Sequence, residues 1–237
     1  MVESFEIESS YNTICGCMVF PKGTKKYPCV ILSHGLVSSK DSDKYIALSE
    51  RFAEAGIATC RFDYHGCGES SGTIEETTLT IRVENLERVA EFVFGHPLVM
   101  TDKVGILGSS FGGTTAIVKA ARDKRIRCTS LWATPYRVEY REDGRISDIT
   151  FKKKIFKDFA RYNILGEAAK ISCALVIHGE KDDVVSCEQG KTIYSYIQKP
   201  KKIIIIKNGD HIFSMPTHRE KAITLSLNWF RRFFLGC

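Results

Sequence analysis

The 237-residue sequence lacks the features of a membrane or secreted protein. No run of 18 apolar residues occurs in it. The N-terminal residues, Met-Val-Glu-Ser-Phe-Glu, contain no basic region followed by an apolar stretch. These absences argue against a transmembrane helix and against a secretory signal. The sequence therefore predicts a cytoplasmic protein that does not insert stably into a membrane.

The cysteines lack a metal-binding pattern. Their count is nine, an odd number, no CxxC pair occurs, and no His/Cys cluster has the spacing of zinc ligands. Cys29, Cys60, Cys128 and Cys173 lie inside apolar runs, where a thiol behaves as a small buried hydrophobe. We expect reduced core cysteines and no structural metal site.

A large excess of one charge is also missing. The 34 lysines and arginines exceed the 28 aspartates and glutamates by 6, and they are spread along the chain apart from a cluster at Lys152–Lys154. This distribution does not indicate a nucleic-acid partner. With 43% apolar and 26% charged residues, the composition is ordinary for a globular protein and points to no particular function. At this length we expect one domain with an insertion.

Short apolar runs alternate with longer segments of helical period. Most runs are apolar at nearly every position, as in strands buried on both faces, which favours a central, largely parallel sheet. The runs are Thr13–Phe20, Cys29–Ser33, Ala58–Phe62, Lys103–Leu107, Cys128–Ala133, Ala174–Ile177 and Lys202–Ile206. Between two of them, Tyr45, Leu48 and Phe52 recur at helical spacing, and a final amphipathic helix is predicted over about 217–235. The order of elements predicts an α/β fold with helices on both faces of the sheet.

One stretch breaks this alternation. From Thr134 to about Lys170 no buried-strand run occurs, although a simple crossover between parallel strands would need fewer residues. Within it, Asp143-Gly144 suits a tight hairpin turn, and the apolar residues of 151–162 follow helical spacing. We expect a small cap of one hairpin and one helix, inserted at about residues 135–165.

The strongest local motif is Gly108-Ser109-Ser110-Phe111-Gly112, which follows a strand-like run and opens into a helix-like segment. Gly-x-Ser-x-Gly in this context is typical of a nucleophile elbow, a tight turn in which the two glycines leave room for a crowded backbone. The same motif also occurs in ordinary turns rich in glycine and serine. Its context predicts Ser110 as a nucleophile, with Ser109 as the weaker candidate.

A serine hydroxyl needs a neighbouring base, so one of the six histidines must lie within hydrogen-bond reach. His211 follows the apolar run Ile203–Ile206 and a short loop. Open α/β sheets bind ligands at the loops that follow the carboxyl ends of their strands. A loop histidine taken alone is nevertheless more often exposed to solvent and without a role in a site. His34 and His178 each precede a glycine at the end of a strand. We predict His211 as the general base.

The third group of the predicted site is a carboxylate in a polar loop. Asp182 would hold His211 in the correct tautomer, although an Asp-Asp pair in a loop is usually only solvated. The three groups follow three different strands in the order Ser, Asp, His, which is the chain order of one hydrolase class. A developing oxyanion also needs donors, for which we predict the backbone N–H groups of Leu36 and Phe111.

Together the motifs resemble the α/β-hydrolase superfamily over nearly the whole chain. The resemblance is carried by His34-Gly35, Asp63–Ser70, Gly108–Gly113, His178–Asp182 and Gly209–His211. The sequence is most similar to small carboxylesterases of the cinnamoyl or feruloyl esterase type and to serine aminopeptidase-like hydrolases. It departs from them at three positions. Relatives often have arginine in place of His65, histidine or glutamine in place of Ser109, and proline in place of Ser186.

The resemblance implies a serine hydrolase that cleaves short-chain or aromatic small-molecule esters through an acyl-enzyme, without metal or cofactor, as a monomer or homodimer. Amide or thioester hydrolysis is the alternative reaction, and a catalytically silent binding module is the alternative outside enzymes. Three roles are open for the insert. In the first, the insert selects the acyl or phenolic group of the substrate. In the second, it only packs its helix onto the body, and in the third its basic face binds anionic lipid or an acidic substrate.

Overall fold

The computed structural model describes residues 1–23, 25–138, 145–146 and 149–236 and contains one large and one small sheet. The strands are β1 (Val2–Glu8), β2 (Thr13–Val19), β3 (Tyr27–Ser33), β4 (Ala58–Phe62), β5 (Val99–Ser109), β6 (Ile126–Trp132), β7 (Arg145–Ile146), β8 (Ile149–Thr150), β9 (Ala174–Gly179) and β10 (Lys201–Ile206). The large sheet has the order β1-β2-β4-β3-β5-β6-β9-β10, and β7 pairs with β8.

Six neighbouring strands of the large sheet, from β4 to β10 in the sheet order, run parallel. Only the β1–β2 and β2–β4 pairs are antiparallel. The mostly parallel sheet predicted from the apolar runs is therefore confirmed. Because parallel strands end at the same edge, the loops after β3, β5, β9 and β10 lie on one side of the molecule.

Helices cover both faces of this sheet, as predicted. They are α1 (Asp43–Glu54), α2 (Leu79–Gly95), α3 (Phe111–Arg122), α4 (Lys154–Phe159), α5 (Ile164–Ala168), α6 (Cys187–Tyr196) and α7 (Pro216–Leu235). Apolar side chains of α2 and α3 belong to one core cluster, and those of α1 and α7 belong to the cluster on the opposite face. None of these helices is long and apolar enough to cross a bilayer.

The strand β1 is the element that the apolar runs do not predict. Its residues alternate between exposed and half-buried, and its only partner in the sheet is β2. An edge strand buries at most one face, so its sequence alternates instead of forming an apolar run. The strand β5 also begins at Val99, four positions before the predicted start at Lys103.

The insert packs onto the body through its apolar stripe. Phe151, Ile155 and Phe159 are at most 6% exposed and belong to the core cluster that contains α2. Asp158 accepts hydrogen bonds from the backbone N–H and the hydroxyl of Thr80, at 2.9 and 2.6 Å. The helix predicted within residues 151–162 is thus present over Lys154–Phe159, whereas the predicted turn at residues 143–144 lies outside the described residues.

The basic residues before and within α4 are partly paired. Lys152 and Lys154 both contact the carboxylate of Glu76, the latter at 2.7 Å. Glu76 ends a 3-10 helix that precedes α2, so these ion pairs join the insert to the body a second time. Both lysine side chains remain more than 40% exposed, and exposed pairs of this kind add little stability.

Candidate active site

The backbone at Ser110 adopts a conformation that few residues other than glycine occupy. Its φ is 53°, in the turn between the end of β5 and the start of α3. Such a conformation costs about 1–3 kcal/mol and persists only when the surroundings enforce it. Here the Ser110 N–H donates to the carbonyl of Trp132 at 2.7 Å, and the Ser110 carbonyl accepts from the Gly113 N–H at 2.8 Å. The turn therefore holds the serine at the carboxyl edge of the sheet.

The two glycines of the motif allow this turn because the backbone around it is crowded. A Cβ at Gly108 would lie 2.5 Å from the carbonyl oxygen of Gly112. A Cβ at Gly112 would lie 2.2 Å from the carbonyl oxygen of Ser33, the last residue of β3. Both distances are shorter than any tolerated contact, so neither position can carry a side chain without moving a backbone segment.

The structure brings the three predicted side chains into one hydrogen-bonded line. Nε2 of His211 lies 3.0 Å from Oγ of Ser110, and Nδ1 of the same ring lies 2.8 Å from Oδ2 of Asp182. The three residues come from the ends of β5, β9 and β10, as the chain order predicts. In this arrangement the imidazole can accept the hydroxyl proton while the carboxylate accepts the hydrogen of Nδ1.

Asp182 is a buried carboxylate with several donors. Its side chain is 0% exposed, Oδ1 accepts the backbone N–H groups of Val184 at 3.0 Å and Val185 at 2.7 Å, and Oδ2 accepts from His211. Burial alone raises the pKa of this carboxyl, but hydrogen bonds from His178 and His211 and the backbone outweigh it and hold the pKa well below its usual range. Asp182 is therefore ionised at neutral pH.

His178 is a residue of the site that sequence reasoning missed. Its ring is fully buried, and Nε2 lies 2.8 Å from the carbonyl oxygen of Val185 and 3.1 Å from Oδ2 of Asp182. A carbonyl only accepts, so Nε2 carries the hydrogen and His178 donates. The ring thus fixes the loop after β9 and the carboxylate that contacts His211. Its spacing of four residues from Asp182 was visible in the sequence, but only the folded loop shows the contact.

The predicted oxyanion donors lie next to the serine. A Cβ at Gly35 would be 3.5 Å from Cβ of Ser110, which places the loop containing Leu36 beside the nucleophile. Phe111 begins α3, where the first backbone N–H groups have no partner within the helix. Within the described chain neither of these N–H groups donates to a protein acceptor. Both residues are under 8% exposed.

Ser109, the weaker candidate, has different surroundings. Its side chain is buried, and its hydroxyl accepts a hydrogen bond from Nζ of Lys44 at 3.1 Å. No hydrogen bond joins it to His211 within the described residues. Among those residues there is also no group of three or more histidine, cysteine or acidic side chains that could hold a metal ion. The hydrogen bond to His211 therefore distinguishes Ser110 from Ser109.

Comparison with known proteins identifies the family and the fold of the chain. A family model described as prolyl oligopeptidase family (Peptidase_S9) matches residues 45–236. The chain belongs to this family. The structure of Est1E from Butyrivibrio proteoclasticus with bound ferulic acid superposes with a TM-score of 0.84 over 98% of both chains, at 19% identity. The predicted resemblance to the α/β-hydrolase superfamily and the predicted fold are therefore confirmed.

Two curated relatives match different lengths of the chain. An uncharacterized 31.7 kDa protein of Escherichia coli is 32% identical over 108 residues, which are 46% of this chain and 37% of that protein. The chain thus matches only about a third of that relative's length. The human mitochondrial palmitoyl-protein thioesterase ABHD10 is 23% identical over 230 residues, 86% of this chain and 72% of that protein.

Replacing Gly112 by alanine tests the crowding at the elbow. We expect Gly112→Ala to lower the free energy of unfolding by about 1–3 kcal/mol, because the new Cβ overlaps backbone atoms of β3. Gly95→Ala is the matched control, since Gly95 ends α2 and a Cβ there would meet nothing within 4 Å. Urea unfolding measures the free energy of unfolding of both variants. Equal stability of the two variants would contradict the crowding argument.

The stability contributed by Asp182 depends on pH. Its folded-state pKa is below the unfolded value of about 3.9, so the contribution is fully present above that value and is lost as the pH falls towards the folded-state pKa. We expect Asp182→Asn to be less stable than wild type by about 1–3 kcal/mol at pH 7, with the difference shrinking below pH ~4. Asp183→Asn, which changes an exposed neighbour, should show no such trend in urea unfolding. If the difference in the free energy of unfolding between wild type and Asp182→Asn stayed constant down to pH ~2.5, Asp182 would not have a lowered pKa.

Proposed function

We propose that this chain hydrolyses carboxylic esters of small molecules through a covalent acyl-enzyme on Ser110. The observation that carries the proposal is the line of hydrogen bonds from Oγ of Ser110 through His211 to the buried carboxylate of Asp182. A serine needs a base to become nucleophilic, and this base is oriented by a third group, which is the arrangement that covalent catalysis requires.

The first half of the reaction acylates the serine. Nε2 of His211 accepts the hydroxyl proton while Oγ of Ser110 bonds to the carbonyl carbon of the ester. The carbonyl oxygen takes the negative charge and accepts hydrogen bonds from the N–H groups of Leu36 and Phe111. When the tetrahedral intermediate collapses, the protonated His211 donates its proton to the leaving alcohol, and the acyl group stays on the serine.

The second half releases the acid. A water molecule gives a proton to His211 and attacks the acyl carbon, and the same backbone donors stabilise the second oxyanion. Collapse of this intermediate returns the proton from His211 to Oγ of Ser110 and frees the carboxylic acid. Asp182 keeps its negative charge throughout and stabilises the imidazolium in both halves, while His178 holds that carboxylate in place.

Apolar side chains around the site support an acyl or aromatic substrate group. Val37 follows the predicted oxyanion loop, Val184 follows Asp182 by two positions, and Ile212 follows His211; they are 49%, 63% and 60% exposed. Large apolar side chains exposed in the loops that carry the proposed reactive groups are suited to contact an apolar ligand. The likeness in fold to an esterase with bound ferulic acid agrees with short-chain or cinnamoyl-type esters.

Thioester hydrolysis is the second candidate. It is favoured by the match to human palmitoyl-protein thioesterase over 230 residues. The same serine, base and oxyanion donors would serve, and the thiol is a better leaving group than an alcohol, so less depends on the proton from His211. The two reactions therefore differ in leaving group and in the size of the acyl pocket rather than in the residues that react.

Ser110→Ala tests the proposed nucleophile. We expect it to lose hydrolysis of p-nitrophenyl acetate by a factor on the order of 10³ or more, with unchanged unfolding, because the hydroxyl contributes little to the core. Wild type should gain one adduct from a fluorophosphonate probe by intact-mass measurement, and Ser110→Ala should gain none. A panel of matched acetyl, butyryl, octanoyl and hydroxycinnamoyl oxygen esters and thioesters then ranks the substrates.

The control for this prediction is Ser109→Ala. Its hydroxyl contacts Lys44 and not His211, so this variant should keep the adduct and most of the rate. An active Ser110→Ala enzyme would show that the nucleophile is assigned to the wrong residue. A wild-type protein without an adduct and without activity on any ester or thioester would support the silent binding module instead.

The insert also enters the proposal, because α4 reaches the residue after the nucleophile. The ring of Phe159 lies 5.5 Å, centroid to centroid, from that of Phe111. We infer that this helix forms part of the wall for the acyl or phenolic group. Its other apolar residues pack onto the body, so substrate selection by the helix depends on this contact.

Phe159→Ala tests this wall. We expect it to change the ranking of kcat/KM across the ester panel, with the largest gain for the bulkier octanoyl and hydroxycinnamoyl groups. Ile155→Ala is the control: it removes a similarly buried side chain from the same helix but no ring contact with Phe111. Each of the two variants should lower the free energy of unfolding by about 2–4 kcal/mol. An unchanged ranking in both variants would make the helix purely structural.

A further inference from the structure

Arg82 is a fully buried arginine that has no carboxylate partner among the described residues. It is the fourth residue of α2, and its side chain is 0% exposed. Within the described chain it forms no ion pair, and its Nε and Nη1 atoms have no hydrogen-bond partner. Burying an unpaired charge is costly, and the N-terminus of a helix favours anions over cations. Both effects act against folding stability, so a neutral side chain would suit the fold better at this position.

The guanidinium contacts the loop that follows β3. Its Nη2 donates to the carbonyl oxygen of His34, in a short hydrogen bond, and to that of Gly35 at 3.3 Å. The guanidinium carbon lies 3.6 Å from the ring centroid of Tyr64 and 5.5 Å from that of Phe111. Stacking on Tyr64 fixes the plane of the guanidinium, which in turn fixes the direction of its donors.

A second donor reaches the same carbonyl. Nδ1 of His34 lies 2.7 Å from the carbonyl oxygen of Gly35, while Nε2 of that ring accepts the backbone N–H of Tyr64 at 3.0 Å. Nε2 therefore lacks a hydrogen and Nδ1 carries it, so His34 also donates to Gly35. The Gly35 carbonyl thus accepts from one neutral and one charged donor.

This carbonyl belongs to the peptide unit that carries one of the predicted oxyanion donors. The Gly35 C=O and the Leu36 N–H share one trans peptide plane and point in opposite directions. Donors that hold the carbonyl therefore also set the direction of the N–H. A charged donor on the oxygen withdraws electron density through the amide and strengthens the N–H as a donor, as in hydrogen-bonded chains.

We propose that Arg82 is a positioning residue for the oxyanion hole, which orients and polarises the Gly35–Leu36 peptide so that the Leu36 N–H stabilises the charge of the tetrahedral intermediate. The inference rests on the proposed function, because it takes the Leu36 N–H as an oxyanion donor. It explains why a cation is buried at a helix N-terminus, although an apolar side chain at this position would be more favourable for stability.

The experiment compares Arg82→Met with wild type. Methionine keeps a long apolar side chain but removes the charge and all donors. With active sites counted by fluorophosphonate titration, we expect kcat for p-nitrophenyl acetate to fall roughly 10- to 100-fold, less than for loss of an oxyanion donor itself. KM should stay within about threefold of wild type, because the interaction strengthens in the transition state. Arg88→Met, which changes an exposed arginine of the same helix, should match wild type.

An inhibitor pair separates positioning from mere packing. An aryl trifluoromethyl ketone bonds to the serine and places a negative oxygen in the oxyanion hole, whereas the matching methyl ketone binds without that charge. In Arg82→Met the affinity for the first should fall by the same factor as kcat, and that for the second should not change. Equal weakening of both ketones, or no weakening of either in a folded variant, would overturn the inference.

A second variant keeps the test decisive if Arg82→Met does not fold. Arg82→Lys retains the charge and most of the volume but loses the planar, stacked donor, so we expect the same parallel losses with smaller factors. Wild-type values in both assays would overturn the inference. The proposed function fails in a different way: wild type would then be no faster than Ser110→Ala, whereas failure of the inference alone leaves that difference intact.

Discussion

The site depends on one close approach between backbones. Cα of Gly112 sits against the carbonyl oxygen of Ser33, where a Cβ would lie only 2.2 Å away. Oγ of Ser33 adds a hydrogen bond of 2.8 Å to the carbonyl oxygen of Gly112. The first turn of α3 is therefore fastened to the end of β3, and the loop containing Gly35 begins two residues further on. As a result, the turn that carries Ser110 and the loop that contains Gly35 and Leu36 are held against each other, and the proposed acyl transfer needs such an arrangement before the substrate arrives.

The acid and the base are joined by a second close approach between neighbouring strands. β9 and β10 are parallel, with Gly179 opposite Ile206 in their register. A Cβ at Gly179 would lie 2.4 Å from the carbonyl oxygen of Gly209, which also accepts the N–H of Lys181 at 2.8 Å. Backbone hydrogen bonds therefore join the two loops independently of the contacts between their side chains. The contact between Asp182 and His211 follows from backbone pairing, so it does not depend on two flexible loops finding each other.

Local patterns predicted the elements of this arrangement, and tertiary contacts supplied the rest. Apolar runs and a Gly-x-Ser-x-Gly turn are readable from neighbouring residues, so the sheet and the position of Ser110 could be predicted. β1 could not, because an edge strand shows alternation rather than an apolar run. Arg82 was overlooked although it follows Leu79 by three positions and precedes Leu86 by four, which puts it on the apolar face of α2. A charged residue on such a face is a signal, but its partners, 47 and 48 positions away, appear only in the fold.

Three locally unfavourable features meet around the serine, and this clustering is informative. Ser110 has a strained backbone, Asp182 is a carboxylate with a fully buried side chain, and Arg82 is a buried cation without a counterion in the described part of the chain. The strained turn and the buried guanidinium cost folding stability, and burial of the Asp182 carboxylate carries a desolvation cost that its hydrogen bonds outweigh. Sequences normally avoid such features away from functional sites. In the proposed mechanism each group also has a fixed direction: the hydroxyl faces the substrate carbon, the carboxylate faces His211, and the guanidinium faces the Gly35–Leu36 peptide. Dipoles that are already oriented need no reorganisation as charge develops, so under the proposed function they would lower the barrier to acyl transfer.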